Sequence, residues 1–140
     1  MKISILTPEY VELLPPVIQD GMLYISKKYG AAVHRCCCGC GTKIVTPLKP
    51  TEWVLTETGG KVSLWPSVGN FNHTCRSHYV IRNNRVIDAG DMSAIAIAHG
   101  RARVDANKRA YSLRLEQDSI QQGKLSLLKK IIRWFAKIIR

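Results

Sequence analysis

The chain has 140 residues, enough for one compact domain with an appendage and too few for two full domains. Its hydrophobic share of 46% is ordinary for a globular protein, and no run approaches the roughly 20 apolar residues of a membrane span. The net charge of +11 is uneven. Residues 1–100 carry ten Lys/Arg against seven Asp/Glu and residues 101–140 carry eleven against three, so the basic character belongs to the C-terminal tail.

The opening residues, MKISILTPEYVELLPP, hold too short an apolar run and too many acids for a signal peptide, so a cytoplasmic location is expected. Without a secretory leader, five cysteines do not read as a disulfide framework. Four of them crowd into positions 36–40, too close together to staple distant segments.

To about residue 90 the sequence reads as short strands separated by turn residues. They are expected at Lys2–Leu6, Gly21–Ile25, Ala31–Arg35, Thr42–Thr46, Glu52–Thr56, Lys61–Leu64, Tyr79–Arg82 and Arg85–Asp88. Turn chemistry predicts three hairpins, through Lys27–Gly30, through Thr58-Gly59-Gly60, and through Asn83-Asn84, whose residues tolerate positive φ. Pro15, Pro16, Pro47, Pro50 and Pro66 fall between these strands, where proline is tolerated. After Gly90 the texture turns helical. Asp91 or Ser93 can cap a helix from about Ala94, interrupted at Gly100, and a second helix is expected from about Lys124. The fold class is therefore α+β: a small, mainly antiparallel sheet or barrel over residues 1–90, then a basic helical extension over 91–140.

The segment 124–140 is strongly periodic. Lys129, Lys130, Arg133, Lys137 and Arg140 share one face, while Leu125, Leu128, Ile131, Ile132, Phe135, Ile138 and Ile139 share the other. Such a helix can dock on its own domain, sit in a partner's groove, or lie on an anionic membrane with Trp134 at the boundary. Docking or partner binding is the more common use. With aromatics at 7% and no basic run interleaved with them in the strand region, a nucleic-acid partner is not expected.

The chemistry concentrates in two half-sites. His34-Arg-Cys36-Cys37-Cys38-Gly-Cys40-Gly41 lies between two expected strands, and its glycines let the backbone fold tightly around a metal. Cys75-Arg-Ser-His78 follows about 35 residues later. Two short clusters separated by a loop are how small domains assemble a tetrahedral zinc site. Two ligand sets remain open: Cys38, Cys40, Cys75 and His78, or Cys36, Cys38, Cys40 and Cys75 with His78 free. Simple burial as small apolar side chains is the bland alternative. One structural ion is expected. An open three-thiolate hydrolytic site is disfavoured, because thiolates dampen Lewis acidity and no carboxylate base stands nearby. Between the half-sites, Val62-Ser-Leu-Trp-Pro-Ser67-Val-Gly-Asn70 places Ser67 in a turn. A Ser67/His78 pair, with the Val68–Asn70 amides as an oxyanion site, would supply a nucleophile and its base.

The linked motifs run in a fixed order. Leu23-Tyr-Ile-Ser and Ala32-Val-His34 lead into Cys36-x-Cys38-Gly-Cys40-Gly41. Thr46-Pro-Leu, Pro50-Thr-x-Trp53, Ser67-x-Gly-Asn70 and Cys75-x-Ser-His78-Tyr79 follow. Over roughly residues 3–90 they resemble a bacterial family, formally a domain of unknown function, found beside ubiquitin-like conjugation genes in defence-type operons. The resemblance implies a zinc-containing fold with serine-type peptidase activity on a ubiquitin-like protein or its conjugates. It places Cys36, Cys38, Cys40 and Cys75 on the family's cysteines, and Ser67 and His78 on its polar candidates. Cys37 is a thiol outside that pattern, Trp65 stands where relatives often carry histidine, and the tail beyond residue 90 is not covered. The alternative is a non-catalytic zinc module that binds a conjugation enzyme or another protein of such a system.

Overall fold

A computed structural model of the chain describes residues 1–138, with side chains through Trp134. Two compact units emerge, Met1–Ile97 and Ala98–Arg140. The first holds eight strands: β1 (Thr7–Tyr10), β2 (Met22–Ser26), β3 (Ala31–Arg35), β4 (Lys43–Pro47), β5 (Val54–Thr58), β6 (Lys61–Gly69), β7 (His78–Arg82) and β8 (Arg85–Asp88). They form two four-stranded sheets, each in chain order, β1-β2-β3-β4 and β5-β6-β7-β8. The expected small antiparallel β core is thus present, divided between two sheets. One pairing departs from it: β1 runs parallel to β2.

The three hairpins form at the expected turns. Asn83 and Asn84 take φ of 49° and 68°, the left-handed pair that closes a two-residue turn between β7 and β8. Strand burial explains the residue choice. Leu23, Ile25 and Ala32 face a core shared with Val62, Leu64, Val68, Tyr79 and Ile81 of the second sheet, together with Leu6, Cys36 and Cys37. Tyr24 and Val33 face the opposite way, onto Ile18. The middle of the first sheet is therefore covered on both faces, which accounts for its nearly unbroken apolar runs. Burying each Leu or Ile here contributes about 1.5–3 kcal/mol.

Several expectations shift. The N-terminal strand lies at Thr7–Tyr10 rather than at Lys2–Leu6. Residues 2–6 instead thread between the sheets: the Lys2 and Ile3 amides donate to the Cys37 carbonyl, the Leu6 amide donates to the Asn84 carbonyl, and Ile5 bridges Arg85. Pro47 and Pro66 lie inside strands rather than between them. Pro47 closes β4. Pro66 falls at a register shift of the β6–β7 ladder between Leu64 and Val68, where a missing N–H is tolerated; the Trp65–Pro66 peptide is cis.

A single helix, α1 (Ala94–Ile138), which starts within the first unit, replaces the two expected ones and passes through Gly100 and Gly123. Ser93 caps it, its Oγ accepting the Ala96 amide at 3.2 Å. Phe135, Lys137, Ile138, Ile139 and Arg140, which complete the expected amphipathic pattern, lie outside the residues whose side chains are described. Among the described residues no helix is both long and apolar enough to cross a membrane.

A four-cysteine cluster beside a serine–histidine pair

The β3–β4 connection carries Cys36, Cys38 and Cys40, and the β6–β7 connection carries Cys75. The first closes as a tight knuckle: the Gly39 amide donates to the Cys36 carbonyl at 3.0 Å and the Cys36 amide to the Thr42 carbonyl at 2.8 Å. Gly39 sits at φ 87° with Lys2 packed against its missing side chain, so no other residue fits there without displacing the lysine. Folding brings the Sγ atoms of Cys36, Cys38, Cys40 and Cys75 all within 4.8 Å of one another.

That spacing suits a metal. Four thiolates about 2.3 Å from a central zinc would stand about 3.8 Å apart. Polar neighbours already point at the sulfurs. Asn70 Nδ2 donates to Cys75 Sγ at 3.3 Å and reaches Cys36 Sγ at 3.9 Å. Ser77 Oγ lies 2.9 Å from Cys36 Sγ, and Thr42 Oγ1 lies 3.2 Å from Cys40 Sγ. Hydrogen bonds from Thr42 hold the Cys40 thiol down at about 6, and the Ser77 backbone lowers Cys75, whereas burial pushes Cys38 up to about 12. Four such sulfurs cannot all ionise at this distance by themselves; a central cation of the soft divalent kind, such as zinc, makes the set consistent.

Cys37 does not join them. Its side chain turns into the apolar core, fully buried, and burial raises its thiol to about 11. It behaves as the small hydrophobe that was the alternative reading for the whole cluster.

His78 is also apart from the sulfurs, because both of its ring nitrogens are engaged elsewhere. Nδ1 lies 3.0 Å from the Gly90 carbonyl oxygen and Nε2 lies 2.8 Å from Ser67 Oγ. A carbonyl can only accept, so Nδ1 carries the proton and Nε2 presents its lone pair to the Ser67 hydroxyl. A hydroxyl facing an imidazole lone pair, with the ring oriented from behind, is the arrangement that activates serine as a nucleophile.

Register explains the meeting. Gly69 stands directly opposite His78 in the β6–β7 ladder, and Ser67, two residues earlier, is the diagonal neighbour on the same face. A side chain on Gly69 would block the diagonal. Its place is taken by the Phe71 ring, which lies 5.3 Å from the His78 ring. Behind the imidazole, the Ala89 amide donates to the His78 carbonyl at 2.9 Å and the Gly90 amide to Asp88 Oδ1 at 2.9 Å. Arg76 ties the same segment down through Asp91 Oδ1 at 2.9 Å and the Met92 carbonyl at 3.2 Å, and its hydrogen bond holds the Asp91 carboxyl below the usual range. A shallow cleft of about 420 Å³ opens here, lined by Cys38, Cys75, Arg76, His78, Asp88 and Asp91 among others.

A family described as the bacterial ubiquitination-like system serine protease, BubE, matches residues 10–88, more than half of the chain and the span that holds both the cysteines and the Ser67–His78 pair. The chain belongs to that family. No curated protein and no solved structure matches it. As a BubE family member the chain belongs with bacterial ubiquitination-like machinery, and its four clustered cysteines can hold a metal ion.

Some parts of the site escaped sequence reasoning. The orienting group behind His78 is a backbone carbonyl, which no side-chain pattern can reveal. Asn70, expected to offer its backbone amide, instead aims its side-chain amide at the sulfurs. The expected oxyanion amides are also only partly free: that of Asn70 donates to the Ser77 carbonyl at 2.8 Å. His34 proves to be a core residue. It is fully buried, its Nε2 lies 2.8 Å from the Tyr79 hydroxyl, and burial lowers its pKa to about 4, so it cross-links the two sheets as a neutral ring.

Proposed function

We propose that the chain is a serine-type peptidase that acts on a ubiquitin-like protein or its conjugates, with Ser67 as nucleophile and His78 as general base. The observation that carries this reading is the 2.8 Å contact between His78 Nε2 and Ser67 Oγ, with Nδ1 committed to the Gly90 carbonyl. Membership of the BubE family supports the same chemistry.

In this mechanism Ser67 Oγ adds to the substrate carbonyl carbon while its proton passes to His78 Nε2. The imidazolium keeps its Nδ1–H on the Gly90 carbonyl, whose partial negative charge stabilises it less than a carboxylate would. The leaving amine takes the proton from Nε2 as the C–N bond breaks. Water, deprotonated by the same nitrogen, then cleaves the Ser67 ester and regenerates the hydroxyl.

Zinc held by Cys36, Cys38, Cys40 and Cys75 is structural in this proposal. With four thiols converging, no ligand position remains for substrate, so the ion's contribution is to tie the connections of two sheets together and fix the segment that leads to His78. The partners are the ubiquitin-like protein itself and enzymes that conjugate it.

The test is Ser67→Ala. Cleavage of a ubiquitin-like protein with a C-terminal extension should fall by at least about 10³-fold, as expected for loss of a nucleophile. Zinc content and thermal midpoint should stay as in the parent. A variant that still cleaves at the parent rate removes Ser67 from the mechanism.

A further inference from the structure

Strand β6 is unevenly partnered. On one side it pairs with β7 as far as Gly69, but on the other β5 stops at Val54, opposite Trp65. Before Val54 the chain turns off this line: the Trp53 amide donates to the Pro47 carbonyl at 3.3 Å and the Glu52 amide to the Lys49 carbonyl at 2.9 Å. Among the described residues no strand or isolated bridge pairs with Pro66–Gly69 on that side.

Antiparallel strands send the N–H and C=O of successive residues alternately to one neighbour and to the other. The Asn70-to-Ser77 bond sets the phase at one end: Val68 faces β7 and Gly69 faces away from it. The two-residue Gly59-Gly60 turn sets it at the other end, making Thr58–Lys61 a bonded pair and turning Ser63 and Trp65 toward β5. Counted back from Asn70, Gly69 and, two residues earlier, Ser67 direct their main-chain groups outward, along the line that β5 vacates. The count from the turn agrees, because the register shift between Leu64 and Val68 amounts to two residues and keeps the alternation in phase. Pro66 between them and Trp65 has no N–H to offer. The nucleophile of the proposed peptidase therefore lies on a short free strand edge.

We propose that the substrate binds as an extended strand added to this edge in continuation of β5, its main chain paired with the N–H and C=O groups of Ser67 and Gly69. This rests on the assignment of Ser67 as nucleophile and deepens it by naming what is recognised: an unfolded tail or linker, read through its backbone. Gly69, directly opposite His78, is exposed, and the Phe71 ring fills the space its side chain would take. Trp65, 66% exposed and opposite Val54, forms an apolar step at the end where β5 stops. An extended segment paired with this edge can place one carbonyl at Ser67 and leave alternate side chains pointing away from the sheet.

The experiment uses the full chain and a ubiquitin-like protein whose C-terminal tail is made by ligation, one tail amide at a time being N-methylated. Each methyl removes one donor and adds bulk at the edge. Strand addition predicts that kcat/KM falls at least about tenfold at alternating positions and changes by less than about twofold at those between. In the Ser67→Ala chain, the same unmodified protein should slow hydrogen exchange at the Gly69 amide. If the unmodified protein is cleaved but methylation acts without a period of two, or the Gly69 amide stays unprotected, the strand addition is wrong and the peptidase stands. If the unmodified protein is never cleaved, the peptidase reading fails and this inference fails with it. Gly69 protection that rises with chain concentration in the absence of substrate would give the edge to a second copy and overturn the proposal.

Discussion

At the scale of single residues, the Ser67–His78 contact depends on a side chain that is missing. A Cβ on Gly69 would fall 2.2 Å from Phe71 Cε2 and 2.8 Å from Cδ2, well inside contact distance. The Phe71 ring rests against His78, with the Arg76 guanidinium 5.9 Å from its centre. In Gly69→Ala the ring must swing away, because backbone on both strands is held by the ladder. Folding stability should fall by only about 1 kcal/mol, since the ring is half-exposed and can move. Activity should fall further, by about tenfold, as His78 loses the wall that orients it. Steady-state kinetics and urea titration separate the two effects. Phe71→Ala should reproduce the kinetic loss, and the double variant should be no worse than Phe71→Ala alone. Additive losses would show that Gly69 matters for a reason other than the ring.

At the scale of elements, the knuckle joins segments of different sheets. Cys36, Cys38 and Cys40 follow β3, while Cys75 precedes β7, with His78 three residues further on. A metal at the sulfurs is thus a cross-link, and its removal should loosen the 70–77 connection more than the shared apolar core. Chelation should release one zinc per chain, lower the thermal midpoint by roughly 10 °C and abolish cleavage, with zinc but not magnesium restoring both. Calorimetry with metal analysis checks this; metal release that leaves the midpoint in place would remove the structural role.

This scale also shows what was legible in the sequence. Ala31–Arg35 and Arg85–Asp88 lie at the expected bounds, and all three hairpins turn where glycine or asparagine permits it, because turn chemistry is local. Residues 2–6 do not form the expected strand because they take their partners from Cys37 and Asn84, far away in sequence. Strand β6 runs on to Gly69, past the expected end at Leu64, because a register shift absorbs Pro66, which in the sequence reads as a breaker. The clustered cysteines could be singled out from spacing, and Ser67 and His78 only through the motif order that resembles the family. Which histidine nitrogen faces which atom could not, because that depends on the β6–β7 register and on a carbonyl at Gly90.

At the scale of the whole molecule, every residue of both apolar core clusters lies within Met1–Ile97, as do the four clustered cysteines, Ser67, His78 and the Gly90 carbonyl. Nothing the proposed chemistry uses comes from Ala98 onward. Residues 101–140 instead carry most of the net charge, with eleven Lys/Arg against three Asp/Glu, and the 45 residues of α1 span roughly 68 Å. A chain ending at Ile97 should therefore fold with an unchanged thermal midpoint, bind one zinc, and cleave an unfolded peptide with the kcat/KM of the full chain. Circular dichroism melting and peptide kinetics on the two chains make the comparison. A truncated chain that folds but no longer cleaves would require a residue of the helix in the reaction, and a truncated chain that does not fold would show that the core clusters do not suffice for stability. A third result is informative in another way: equal cleavage of peptide but weaker cleavage of a conjugate, with the difference fading as salt is raised, would assign the basic helix to capture of an acidic partner, because only exposed charge is screened over about 10 Å at 0.1 M ionic strength.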